Sequence, residues 1–191
     1  MKLTQTEKSF IYKWFSNVLG HELSESQLQQ YQKGVFEPLF MLLSEQGFDE
    51  LVQNIKQELN ALKDLPFAHL ELAADFTELF LLSGETSALP YSSVYLEEDK
   101  LFDHLAFMDE LLVKFQLQVN RDNKEPSDHI CVYLEVLGKF VDEGANEEET
   151  EFVHNYLLPW LKPFNKKLQK ITTKTKFYQN VMTLLVAVLT K

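Results

Sequence analysis

Three carboxylates, Glu71, Asp75 and Glu78, stand at i, i+4 and i+7 within the run ELAADFTELFLL. On a helix that spacing collects them in one narrow stripe. There they can pair with a cationic motif, best with forked guanidinium groups where adjoining apolar surface thins the water. Just downstream, LPYSSVY sets two amphipathic aromatics, Tyr91 and Tyr95, around the hydroxyls of Ser92 and Ser93. Recognition lips use that mixture for apolar contact plus hydrogen bonding. A third group, Glu125, Pro126, Asp128 and His129 in EPSDH, joins acids to the side chain that titrates nearest neutral pH. Each group also has a plainer reading: a solvated helix edge, a loop whose tyrosines pack back on the core, and the start of a helix. All three bind or respond, and none supplies a nucleophile.

Reaction chemistry has no positive support elsewhere. The single Gly-Lys pair, Gly138 and Lys139, precedes Phe140 rather than Ser or Thr, so a phosphate-cradling P-loop is absent. Only Glu151 to His154 has the Glu-x-x-His spacing of a di-metal bundle, which needs two such pairs. Cys131 lies two residues from His129, on a different side of a helix, and His21, His69, His104 and His154 form no ligand pattern. The expectation is a binding protein with no catalytic residues, no metal and no stably bound cofactor.

Composition narrows the partners. The chain has 191 residues, a formal charge of -11 and one arginine, Arg121, which argues against nucleic acid. A field of that sign attracts cationic segments, and it also simply keeps a protein soluble. The lone Cys131 permits no internal disulfide and suits a reducing compartment, so the expected location is cytoplasmic. The N-terminal segment lacks a signal-peptide core, and the apolar run from Val181 to Leu189 is too short to insert in a membrane.

The elements that must position these groups read as helices throughout, because 6 Gly and 6 Pro are too few for a many-stranded fold. Phe10, Ile11, Trp14, Phe15 and Val18 recur at helical spacing up to Gly20. Ser24 with Gln27 reads as a capping box for a second helix that must kink or break at Pro38. A third covers about 48–62. The fourth, about 67–82, is apolar almost all round and is expected at the centre of the fold. Gly84 ends it, and a long helix follows over about 97–119. Pro126 suits the first position of the next helix, with Asp128 in its first turn, and Gly144 its end. Helices at about 152–161 and 177–189 complete the chain, with six lysines between Lys162 and Lys176 as a solvated basic face. The polar run 120–126 gives the expected division: residues 1–120 as an N-terminal helical region, 121–127 as a hinge and 128–191 as a C-terminal helical region.

LELAADF, ALPYSSVY and EPSDH together resemble the TorD family, cytoplasmic chaperones of molybdoenzyme precursors, and the resemblance extends over nearly the whole chain. It implies an all-α, TorD-like fold whose two helical regions meet at the EPSDH hinge, in a monomer or a domain-swapped homodimer. It implies binding of the apo form and the twin-arginine signal peptide of a molybdoenzyme, most nearly trimethylamine N-oxide reductase. Assisted molybdenum cofactor insertion and prevention of premature export would follow. The partner surface it implies comprises Asp75, Tyr91, Tyr95, Glu125, Pro126, Asp128 and His129, beside Glu71 and Glu78 of the acid stripe. Weak guanine-nucleotide binding is also associated with the family, although no standard motif for it is present. Ser92 and Ser93 stand where some relatives carry an acid after the tyrosine, which shifts the expected arginine contacts onto the helix acids. The alternatives are a chaperone of another molybdoenzyme of the dimethyl sulfoxide reductase type, or a helical interaction module with no leader preference.

Overall fold

A computed structural model describes residues 3–117 and 127–191. Among these residues the regular structure is helical, with no strand beyond one isolated bridge. The α-helices are α1 (Gln5–Gly20), α2 (Glu25–Gln32), α3 (Glu37–Leu43), α4 (Asp49–Ala61), α5 (Ala68–Phe76), α6 (Glu98–Lys114), α7 (Ile130–Glu143), α8 (Asn146–Phe152), α9 (Leu158–Leu168) and α10 (Phe177–Thr190). No helix among the described residues is long and apolar enough to cross a membrane.

The chain forms two compact units, each discontinuous in sequence. Among the described residues, the first comprises 21–89 and 165–191, the second 3–20, 90–117 and 127–164. This division differs from the expected split into 1–120 and 128–191. Packing joins segments far apart in the chain: α1 pairs with α7, and α10 with α4 and α5. Residues 121–126 of the expected hinge, Glu125 and Pro126 included, lie outside the described residues.

In the first unit, α2 starts at the box foreseen from sequence, with Ser24 Oγ accepting from Gln27 N and the Gln27 side chain accepting from Ser24 N. The break at Pro38 is also present. Gly34 turns the chain at φ +79° and Pro38 sits in the first turn of α3, where a missing N–H is harmless. Tyr178 of α10 meets Phe76 and Phe80 edge to face, at 5.3 and 6.0 Å, and closes the core. After Phe76 the helical path continues as a π-type turn over Thr77–Leu81. This segment is less central than its composition suggests: Leu70 is 57% exposed and Leu81 is 61% exposed, with Phe67 and Leu82 also on the surface. Phe67 begins α5 in the left-handed region, φ 59°.

In the second unit, α1 buries Ile11, Trp14, Phe15 and Val18, and α7 buries Tyr133, Leu134, Leu137 and Phe140. Trp160 stands edge to face against Tyr133 at 5.1 Å, and Phe115 against Phe140 at 5.0 Å. Glu149 of α8, itself buried, accepts from Tyr12 Oη and Lys8 Nζ, both at 2.8 Å, and ties α8 to α1. Burial and this carboxylate together push the Tyr12 phenol up. α6 ends at Lys114 rather than near residue 119. α7 begins at Ile130, later than Pro126, because His129 is its N-cap: the Nδ1 lone pair accepts from Cys131 N at 3.3 Å. Gly144 ends α7 at φ +70°, and an added Cβ there would meet Gln5 Nε2 at 3.0 Å. Gly144→Ala therefore should lower stability by about 1 kcal/mol, read as a lower urea midpoint with an unchanged slope.

Candidate functional site

The acid stripe belongs to the first unit, and its three carboxylates meet different fates. Asp75 is turned inward and only 2% exposed. One of its oxygens accepts from Lys174 N at 2.9 Å, and the other from Thr175 N at 2.8 Å and Thr175 Oγ1 at 2.6 Å. The segment ITTKTK makes a turn ahead of α10 whose main-chain donors have no helical partner, and a carboxylate from α5 satisfies them. Glu71 is half-exposed and pairs with Lys174 Nζ at 2.7 Å. Glu78 is exposed, while its carbonyl accepts from Ser87 Oγ at 2.6 Å. Ala88 N donates to Leu79 O at 2.8 Å, so the loop after α5 folds back and satisfies the ends of that helical path. A sequence periodicity cannot separate the inward acid from the outward two, since all lie within one stripe.

Residues 90–95 of LPYSSVY and 127–129 of EPSDH belong to the second unit, and the structure brings them together. Ser92 N donates to Asp128 O at 3.0 Å and Ile130 N to Pro90 O at 2.9 Å, which makes Tyr91 and His129 partners in an antiparallel bridge. Asp128, also buried, accepts from Ser93 N through Oδ2 at 3.0 Å. Its carboxylate thus serves the neighbouring loop, a correction to the expected place in the first turn of the helix beside its dipole. Beneath the bridge, Tyr133 Oη donates to Ser92 Oγ at 2.9 Å, and His104 Nε2 lies 2.6 Å from Tyr133 Oη. With the tyrosine proton committed to Ser92, His104 must donate through Nε2. His104 and Tyr133 carried no functional signal in the sequence, because a buried relay between two helices and a loop leaves no local pattern.

Tyr91 remains half-exposed, its ring 5.1 Å from that of His129 at 64°. Tyr95 packs back, as the plainer reading held, against Trp160 and Phe164 with ring centroids at 6.4 and 5.6 Å. Burial pushes its phenol up. Burial also depresses His104, partly countered by the negative charge of Asp128. No group of three His, Cys, Asp or Glu side chains suited to a metal occurs among the described residues.

This helical arrangement has known counterparts. A family model described as "Nitrate reductase delta subunit" matches residues 44–166. Chaperone protein TorD of Pasteurella multocida is 53% identical over 189 residues, 99% of this chain and 96% of that protein. Its counterpart in Histophilus somni is 54% identical over 189 residues, 99% and 98% of the two chains. The chain belongs to the TorD family. A crystal structure described as a redox enzyme maturation protein from Archaeoglobus fulgidus covers 100% of this chain and 96% of its own, with TM-score 0.54 and 22% identity, a likeness of fold. TorD-family membership makes the protein a chaperone rather than an enzyme.

Two measurements probe this architecture. Asp75→Ala leaves two main-chain N–H groups and a hydroxyl without their acceptor and should cost about 3 kcal/mol, seen as a lower urea midpoint. His104, whose folded pKa lies below its unfolded value near 6.5, stabilises the fold above that value, and the contribution is lost as pH falls through it. Urea midpoints from pH 8 to pH 5 should therefore decline less steeply in His104→Gln than in the parent.

Proposed function

We propose that the protein is a cytoplasmic chaperone that binds the apo form and the twin-arginine signal region of a molybdoenzyme, with trimethylamine N-oxide reductase as the client. Binding would favour molybdenum cofactor insertion and withhold the leader from export until loading is complete. Differential affinity for the immature client suffices for this, since a chaperone that bound both forms equally could bias nothing.

The observation that carries the reading is the outer edge of α5 and its π-type turn, where exposed Leu70 and Leu81 lie among the carboxylates of Glu71 and Glu78. A leader joins paired arginines to an apolar run, and this edge offers the complement of both. Glu71 and Glu78 receive the arginines, and Leu70 and Leu81 the apolar run. Asp75 supports the surface from below instead of touching the leader, because its oxygens are already occupied by the 174–175 turn. The Glu71–Lys174 pair is exposed and worth at most about 1 kcal/mol, so an arginine can displace the lysine. In the second unit, Tyr91, Asp128 and His129 form a patch in which Tyr91 is half-exposed and the two buried residues hold it in place.

Calorimetric titration with the leader peptide tests this. Glu71→Gln with Glu78→Gln should weaken binding about tenfold, or about 1.4 kcal/mol, whereas Lys174→Gln, which removes the internal competitor, should tighten it. Replacing both leader arginines by glutamine should have an effect as large as the double acid variant. Affinity indifferent to the arginines and to both acids would reduce the protein to a helical module without leader preference.

A further inference from the structure

Acidic residues are distributed unevenly between the units. Among the described residues the second holds fifteen acidic and six basic residues, the first twelve and nine. Five of the acids of the second unit lie on α6, EDKLFDHLAFMDELLVK. The buried face of this helix carries His104, Met108, Leu111 and Leu112. At 3.6 residues per turn the opposite face aligns Phe102, Ala106 and Val113, with Glu98 and Asp109 along one flank and Asp99 and Glu110 along the other. Phe102 is 81% exposed and Val113 79% exposed. A single apolar residue on a surface is ordinary, but a Phe left in water forgoes about 2 kcal/mol of burial. Here two of them share one line with alanine between, and all four flanking acids are exposed. Glu98, Asp109 and Glu110 have no cation within ion-pair distance among the described residues. The line from Phe102 to Val113 is about 16 Å long, three turns of helix.

We propose that the outer face of α6 docks a cationic amphipathic helix of a partner protein, whose apolar stripe covers Phe102 and Val113 and whose lysine or arginine heads meet the flanking acids. Charge complementarity selects this occupant. A neutral or acidic helix would cover the apolar line only by bringing the acids into a drier, repulsive setting, whereas a cationic one neutralises them as water leaves. The surface is separate from the α5 edge and does not depend on the leader reading.

The probe is a dye-labelled synthetic amphipathic Leu/Lys helix, followed by fluorescence anisotropy against the whole protein. Phe102→Ser with Val113→Ser should weaken binding at least about tenfold, and Asp109→Asn with Glu110→Gln about threefold. Affinity should fall as salt rises from about 50 to about 300 mM. Both positions are exposed, so urea midpoints should stay put in the apolar double variant. Glu71→Gln with Glu78→Gln, at the other acid-and-leucine edge, should weaken the probe less than the Phe102 and Val113 variant does. An unchanged affinity in the apolar variant overturns the proposal. So does an equal loss in the Glu71 and Glu78 variant, which would move the probe to α5. Sedimentation showing a dimer that the apolar variant dissolves would make a second copy the occupant, and would also overturn it.

Discussion

A buried carboxylate that accepts main-chain N–H groups from a distant segment is the constraint on which each unit rests. In the first unit Asp75 holds the turn ahead of α10, across 100 residues of sequence, by three hydrogen bonds. In the second, Asp128 holds the 90–93 loop by its side chain and its carbonyl together. Ionised oxygens form stronger hydrogen bonds than neutral ones, and desolvating them is tolerable only when each is fully engaged. Bonds to both oxygens of Asp75, and to the Oδ2 and carbonyl of Asp128, fix the path of the connections they hold. Helix packing alone would leave such loops free to adopt several paths.

The same acid chemistry turned outward has the opposite use. Glu71 and Glu78 flank exposed leucines on α5, and the acids of α6 flank exposed Phe102 and Val113. In both places solvent keeps the charge, and adjoining apolar area is left uncovered. One residue type therefore serves as internal anchor and external contact, and burial decides which. His104 stands at the junction of these roles: it is neutral by burial, and it is bonded through Tyr133 to the serine that the loop presents.

Local structure was legible in the chain before its coordinates. The capping box at Ser24 and Gln27, the interruption at Pro38 and the end of α7 at Gly144 each arise from backbone geometry that neighbouring residues specify. The all-helical class follows from periodicity in the same way. What escaped were the contacts between polar groups far apart in sequence. A stripe of Glu71, Asp75 and Glu78 has the same spacing whether its middle member faces water or a turn, so the inward course of Asp75 had no trace in the pattern. LPYSSVY and EPSDH each stand out in the chain, yet their pairing through Ser92 and Asp128 does not, because main-chain hydrogen bonds are indifferent to side-chain type. The division into units has no local signature for a related reason: the apolar face of α1 states that a partner exists, and nothing in it names α7.

The interleaving of the two units bears on the order in which they are completed as the polypeptide is made. All segments of the second unit have left the ribosome once Phe164 emerges, whereas the first cannot close until α10 arrives to cover α4 and α5. For that interval the greasy sides of α4 and α5 lack their cover while every segment of the other unit is already present. A nascent chain paused there would hold every segment of the strongly acidic unit and still lack the one that covers α4 and α5.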